Sequence, residues 1–363
     1  MERVVEKVVP LLQGSARIWV FGRKGRGQAR VESIEGAVFM RHPGGKGRYL
    51  PWISRRLSAL GPDVIQVENR PRIASYLKKK HPRIPVWLSL HSVTFLSRPN
   101  ITPSELRRHL IRTDRIIVNS EFLKQYLLSR YPILADRLVV NHLGVDWVED
   151  GSRWAPEGEI RRQLQLQSLG IQGRKVILYA GRLIPIKGVH HLFPVMQSLI
   201  ETEPDALLVV VGSAFYGSHR TTPYVRRLHQ AGKKMPNHVL FVPYVPYNEM
   251  RRWFELADAA VVPSERNEAF GLVNVEAMAA GVPVVAAKAG GITEIVEDGV
   301  TGYLVRPEAI QAELLLSLLQ LLGNKELRER MGKDGMLRAG ARFRWIHTAE
   351  RLAAMYRELP RKM

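Results

Sequence analysis

The feature that most constrains this chain is its alternation of short apolar runs with amphipathic stretches. Val64–Val67, Pro85–Leu90, Arg115–Asn119 and Leu138–Val140 read as strands, with helices near 50–60, 71–80, 103–112 and 120–130 between them. A second series follows in Val176–Ala180, Ala206–Val211, Val239–Val242, Ala259–Val262 and Val284–Ala286. Strands that are apolar on both faces and alternate with helices imply parallel sheets covered on both sides. The chain therefore reads as α/β with two doubly wound sheets, and its 363 residues suffice for two domains. No repeat of solenoid length and no low-complexity tract interrupts the pattern.

The flanks of these series are less regular. Val4, Val5, Val8, Val9 and Leu12 recur on one helix face, with Gly14 as a stop. Arg17–Phe21 reads as a strand, then comes the basic run Gly22-Arg23-Lys24-Gly25-Arg26-Gly27, then one apolar stretch over Ile34–Met40. The glycines at 22, 25 and 27 do not have the spacing of a dinucleotide fingerprint. Between about 145 and 174 the pattern breaks at Trp147, Asp150-Gly151-Ser152, Trp154 and Pro156, followed by a charged helix over Glu159–Leu169. This segment reads as the interdomain connection. Amphipathic helices at about 308–322, 325–340 and 345–358 close the chain.

Composition removes several chemistries. Cysteine is absent, which excludes disulfides, thiolate metal sites and cysteine nucleophiles. Lysine and arginine number 54 against 34 acidic residues, a net +20, and residues 1–150 hold 26 against 13, or +13 of that total. Such a balance favours anionic partners: phosphorylated small molecules, an acidic polymer, a membrane surface or nucleic acid. No nucleic-acid signature accompanies the charge, so nucleic acid is not the expected partner. With no run of eighteen apolar residues and no apolar leader after Met1, the expected location is the cytoplasm.

In doubly wound sheets ligands sit beyond the carboxyl ends of the strands. Three clusters occupy such positions. Gly181-Arg182-Leu183-Ile184-Pro185-Ile186-Lys187-Gly188 follows a strand and precedes a helix. Arg182 and Lys187, five apart, suit a diphosphate, or else form a solvated basic loop. The second cluster is Ser264-Glu265-Arg266-Asn267-Glu268-Ala269-Phe270-Gly271-Leu272, running into a helix that contains Glu276. Glu276 lies about 8 Å along the helix from Gly271. The two carboxylates can grip hydroxyls on either side of a phosphate docked on the N–H groups of Gly271 and Leu272; otherwise they are a loop residue and an exposed helix position. The third is His91-Ser92, after Pro85–Leu90, a ligand contact or a structural histidine. Gly212-Ser213 is a further candidate on the nucleotide side. Asn119-Ser120 reads as a helix cap. His190 and His191 read as packing or surface residues, and no His/Asp/Glu spacing suggests a metal site.

The run Gly181-Arg182-Leu183…Lys187-Gly188, the Glu268-x7-Glu276 pattern around Phe270-Gly271-Leu272, and Gly290-Gly291-Ile292-Thr293-Glu294 together resemble the retaining glycosyltransferases of family 4, which have the GT-B fold. Leu143-Gly144-Val145-Asp146 resembles that family's domain junction. Asn69-Arg70-Pro71, Leu88-Ser89-Leu90-His91 and Val211-Gly212-Ser213-Ala214-Phe215-Tyr216-Gly217 are most similar to the spore-coat glycosyltransferases of endospore-forming bacteria. The resemblance implies two facing Rossmann-like domains: 1–146 on the acceptor side, with a helix over about 345–363 packing back on it, and 147–344 binding a nucleotide sugar. It implies that Arg182 and Lys187 bind the donor diphosphate, Glu268 the hexose and Glu276 the ribose. Phe270, Gly271 and Leu272 would supply backbone donors, Gly212 and Ser213 would lie near the nucleotide, and His91 would reach the sugar.

The implied activity is transfer of a hexose from a UDP- or GDP-linked donor with retention at the anomeric carbon, without a metal or other cofactor. The implied acceptor is a glycan, a lipid-linked molecule or a protein, of anionic character given the charge. Besides the cytoplasm, the spore coat and the membrane periphery are the locations this suggests. One departure stands out: the strand and glycine-rich loop that precede the first helix in family members have no counterpart here. The start then lies upstream, or the chain is a shortened form with weak transfer. A non-catalytic spore-coat structural or interaction protein of the same fold is the alternative.

Overall fold

The computed structural model describes residues 2–45, 47–148, 153–215 and 221–360. Asp150-Gly151-Ser152 and the Tyr216-Gly217 end of one motif lie outside the described residues. The chain divides into two compact units, Met1–Gly144 with Trp345–Met363, and Val145–Arg344.

The first unit opens with α1 (Glu2–Val8), β1 (Trp19–Arg23), β2 (Val31–Ile34), β3 (Ala37–His42) and α2 (Tyr49–Leu60). It continues through β4 (Ile65–Glu68), α3 (Pro71–Lys80), β5 (Val86–Leu90), α4 (Pro103–Ile111), β6 (Arg115–Val118), α5 (Glu121–Leu128) and β7 (Leu138–Val140). The single apolar stretch expected over Ile34–Met40 is in fact two strands. Glu35 and Gly36 both have positive φ, 45° and 73°, and make the two-residue turn whose twist suits an antiparallel hairpin. β1 pairs in parallel with the far side of β3, giving the order β1-β3-β2. β4-β5-β6-β7 form a separate, wholly parallel sheet. Among the described residues no strand joins the two sheets, so β1 and β4 each have one neighbour.

The second unit contains α6 (Pro156–Ser168), β8 (Lys175–Ala180), α7 (Leu192–Thr202), β9 (Ala206–Val211), α8 (Pro223–Gly232), β10 (Val239–Val242), α9 (Tyr247–Leu256), β11 (Ala259–Val262) and α10 (Leu272–Ala279). β12 (Val284–Ala287), α11 (Ile292–Ile295), β13 (Gly302–Val305), α12 (Ile310–Gly323) and α13 (Lys325–Arg342) complete it. The last helix, α14 (Trp345–Arg357), belongs to the first unit. There Tyr356 stacks on Trp87 with ring centroids 5.4 Å apart and donates to Gln66 Oε1 at 2.8 Å.

The described part of the segment read as a connection, from Arg153 onward, packs into the second unit's core. Proline at the first helical position starts α6 three residues earlier than the charge pattern suggests. Arg162 donates to Asp258 Oδ2 at 2.9 Å, and the same oxygen accepts from the Val176 N–H at 2.8 Å. Arg328 lies 3.4 Å from the other Asp258 oxygen, and buried Arg153 donates to the Ala257 carbonyl.

The second sheet is parallel throughout, in the order β10-β9-β8-β11-β12-β13. From β8 the chain moves outward to β9 and β10, then returns to β11 on the opposite side of β8. β8 and β11 are therefore neighbours whose connections lead to opposite sides of the pair, the switch point at which such sheets open a crevice beyond their carboxyl ends. The loops after these two strands are the two charged clusters.

Candidate active site

The loop after β8 is held close to its neighbours by hydrogen bonds from the backbone. Gly181 N–H donates to Val211 O and Leu183 N–H to Ser213 O, each at 3.0 Å, while Gly212 N–H donates to Val242 O at 3.0 Å. A Cβ on Gly212 would overlap the Gly181 carbonyl, so this crossing requires glycine. Gly188 sits in the left-handed region at φ 69°, and a Cβ there would overlap the Pro263 carbonyl oxygen. The loops after β8 and β11 thus touch, and the Glu265 N–H donates to Ile186 O at 3.1 Å.

This approach brings Lys187 to Glu268. The ammonium is ion-paired with Glu268 Oε2, and the Ser264 hydroxyl donates to the same oxygen at 3.1 Å. Burial opposes the charge on Glu268, but Lys187, Ser264 and the more distant Arg182 outweigh it and hold the carboxyl below its ordinary value. The Glu268 carbonyl accepts from Gly291 N–H at 2.8 Å, which ties the loop to the start of α11. Arg182 lies five residues before Lys187 on the same loop, and its carbonyl accepts from the Tyr179 hydroxyl at 2.9 Å. The Ser213 hydroxyl is turned back onto the Phe215 carbonyl at 2.5 Å.

α10 begins just after Gly271, whose φ is 96° and whose carbonyl accepts from the backbone and the side chain of Asn274, both at 2.9 Å. The N–H groups of Gly271, Leu272 and Val273, ahead of that bond, have no acceptor within the helix. Phe270 is buried against Phe343 with ring centroids 5.9 Å apart, which fixes the approach to that turn. Glu276 lies more than a turn along α10, where it lines a cleft of about 130 Å³ with Asp146, Tyr247 and Arg251. Glu268 thus contacts both Lys187 and Ser264, Arg182, Gly212, Ser213, Phe270 and Gly271 lie on the surrounding loops, Leu272 opens α10, and Glu276 lines a cleft that contains none of these residues.

His91, in the first unit, directly follows β5 and is not isolated. Its Nε2 donates to Glu68 Oε2 at 2.6 Å, Gln66 donates to the other Glu68 oxygen at 2.8 Å, and the His91 N–H donates to Asn69 Oδ1 at 2.8 Å. Burial would raise the Glu68 carboxyl, but the His91 ring, Gln66 and Ser89 outweigh it and hold it below its ordinary value. His91 Nδ1 is buried without a hydrogen-bond partner among the described residues. Ser120 caps α5 by accepting from Leu123 N–H, whereas Asn119 reaches the His91 carbonyl at 3.3 Å. Sequence reasoning missed Glu68, and it named Ser264 at the head of the second cluster without giving it a role. Strand register could have found the first, since Glu68 pairs with Ser89, two residues before His91.

A doubly wound unit with a lysine–glutamate pair and a helix N-terminus at its switch point offers the groups that an anionic, hydroxylated ligand would need. Comparison with known proteins narrows that class. The family model Glycosyltransferase Family 4 matches residues 1–147, and the model Glycosyl transferases group 1 matches residues 161–338. Spore coat protein SA of Bacillus subtilis (strain 168) is 30% identical over 352 residues, 97% of this chain and 93% of that protein. The lipopolysaccharide 1,2-N-acetylglucosaminetransferase of Salmonella typhimurium is 28% identical over 290 residues, 79% of this chain and 71% of that enzyme. Anabaena Alr3699/HepE, solved in complex with UDP, superposes with a TM-score of 0.76 at 21% identity, over 95% of this chain and 100% of that one. The chain belongs to the group 1/family 4 glycosyltransferases and has their GT-B fold. Among the described residues no helix is long and apolar enough to cross a membrane.

Proposed function

We propose that this chain transfers a hexose from a UDP- or GDP-linked donor to a hydroxyl acceptor, with retention of the anomeric configuration. The observation that carries this reading is the Lys187–Glu268 pair at the switch point, beside the N-terminus of α10. A diphosphate takes Lys187 and Arg182 as its cations and the N–H groups of Gly271 and Leu272 as donors. Glu268, relieved of Lys187, accepts from hydroxyls of the hexose. Glu276 takes the ribose, and the Gly212-Ser213 backbone lies on the nucleotide side.

In the transfer, the bond between the anomeric carbon and the phosphate oxygen breaks and its electron pair stays on the departing diphosphate. The acceptor oxygen bonds to the same face of that carbon and its proton passes to the leaving phosphate. Lys187 and Arg182 stabilise the charge that develops there, so the step is proposed without a metal ion or other cofactor. Glu68 fixes the His91 ring with Nε2 as donor, which leaves Nδ1 for a group of the sugar.

The surplus of basic residues over 1–150 supports an anionic acceptor: a glycan, a lipid-linked molecule or a protein, met in the cytoplasm or at a membrane or coat surface. The likeness to spore coat protein SA supports a place in spore-coat or cell-surface glycan synthesis. The test is a panel of UDP- and GDP-sugars with nucleotide release and the anomeric configuration of the product as readouts. Release by the wild type that is lost in Lys187→Ala supports the proposal. Equal zero rates for wild type and Glu268→Gln across the panel favour a non-catalytic coat protein instead.

A further inference from the structure

Three residues past Lys187, His190 and His191 end a short 3-10 turn that leads into α7. Their ring centroids lie 4.1 Å apart with the planes tilted by 37°. Both rings turn the same nitrogen toward the same atom: Glu265 Oε1 lies 3.5 Å from His190 Nε2 and 3.8 Å from His191 Nε2. The ligand atoms of all three residues fall within 4.8 Å of one another. These separations are longer than the about 2.7–3.2 Å of an N–H···O hydrogen bond. They approach the spacing of ligands around a four-coordinate zinc ion, because bonds of about 2.05 Å at the tetrahedral angle put neighbouring ligand atoms about 3.3 Å apart.

The outer contact of His190 points the same way. His190 Nδ1 lies 3.0 Å from the Tyr224 hydroxyl, which also accepts from the His190 backbone N–H at 3.3 Å. His191 Nδ1 lies 3.5 Å from Gln311 Nε2, a nitrogen that only donates, so this amide has to turn its oxygen toward the ring when His191 Nε2 binds an ion. An Nδ1–H donated to the Tyr224 oxygen fixes the His190 tautomer that leaves its Nε2 with a lone pair, as a metal-bound imidazole requires. The three side chains keep 42%, 19% and 38% exposure, so an ion can enter and a water can complete its shell.

The geometry points to a site for a divalent transition-metal ion of the zinc class, held by His190 Nε2, His191 Nε2 and a Glu265 oxygen. Two imidazoles and one carboxylate suit zinc and its neighbours better than magnesium or calcium, which take oxygen ligands. The site stands apart from the transfer chemistry. Glu265 lies three residues before Glu268, and His190 three after Lys187, so a bound ion clasps together the two loops that present that pair.

The test is zinc titration of the metal-free full chain in competition with a chromogenic chelator. The expected result is one equivalent bound by the wild type, at least tenfold weaker binding in Glu265→Gln, and loss of that equivalent in the double variant His190→Ala/His191→Ala. Cobalt added to the wild type should give the intense visible bands of a four-coordinate ion, a readout that depends on no variant. Absence of those bands, no zinc uptake by the wild type, or equal uptake by wild type and the variants would overturn the proposal.

Discussion

Replacing Lys187 by alanine probes the site at its centre. The Lys187 and Glu268 side chains keep 25% and 17% exposure. The pair therefore lies between an exposed ion pair, worth about 0.2–1 kcal/mol, and a buried one, whose breakage costs about 3–5 kcal/mol. A loss of about 2 kcal/mol on Lys187→Ala lies between these limits, because Ser264 still donates to the carboxylate left behind. Urea unfolding of the wild type, Lys187→Ala, Glu268→Gln and the double variant isolates the pair, with an expected coupling of about 1–2 kcal/mol. The sign of its pH dependence follows from the lowered Glu268 carboxyl. Its contribution is complete above the ordinary value of 4.5 and is lost as the pH falls through the lower folded value. Wild type should thus lose more stability than Lys187→Ala as the pH falls below 4.5. For nucleotide binding, one charge-assisted contact of about 1.5–3 kcal/mol corresponds to about a 10- to 150-fold rise in Kd for UDP or GDP, read by calorimetric titration. A coupling below about 0.3 kcal/mol together with unchanged nucleotide affinity would refute both the pairing and the assignment of Lys187 to the phosphate.

Gly188→Ala puts a side chain on a left-handed residue against the Pro263 carbonyl, so it should destabilise the chain by at least about 2 kcal/mol and weaken nucleotide binding; an unchanged melting temperature would count against the loop contact. Asp258→Ala leaves Arg162 and Arg328 without their carboxylate and the Val176 N–H without its acceptor, so a loss of about 3–5 kcal/mol is expected in urea unfolding. Glu68→Gln frees the His91 ring to turn, which should lower the transfer rate and shift its pH profile while leaving UDP affinity unchanged; an unaltered profile would remove Glu68 as the positioning residue.

The second sheet was legible in the sequence because β8, β9, β11 and β12 are buried on both faces and carry little but valine, isoleucine, leucine and alanine. Once those strands are placed, the loops after β8 and β11 follow, and with them Lys187 and Glu268. Their ion pair does not follow, because it depends on β8 and β11 being neighbours across the switch point, a fact of topology that no local pattern carries. Ile34–Met40 misled for a different reason: the turn at Glu35-Gly36 is only two residues long and interrupts an otherwise apolar run. Glu68 was hidden because an acidic residue at a strand end usually faces water, and only its register beside Ser89 brings it under His91. Glu265 was hidden in the same way, since His190 and His191 meet it through the contact between two loops.

The ion pair also predicts how the site distinguishes a nucleotide from a nucleotide sugar. Without ligand, Lys187 and Glu268 satisfy each other, so a diphosphate that draws Lys187 away leaves the partly buried carboxylate with Ser264 as its remaining donor. UDP alone incurs that loss and gives nothing back. A donor whose hexose offers a hydroxyl restores the missing hydrogen bond, which to a charged acceptor is worth about 1.5–3 kcal/mol. UDP-sugar should therefore bind the wild type about 10- to 150-fold more tightly than UDP. Glu268→Gln removes the charge that has to be compensated, so UDP should bind it as well as or better than the wild type, and the advantage of the sugar should shrink toward that of a neutral hydrogen bond. Calorimetric titration of both proteins with both ligands reads the ratio directly. If Glu268→Gln keeps the wild-type ratio, the carboxylate does not contact the sugar, and its pairing with Lys187 serves only to hold the two loops together.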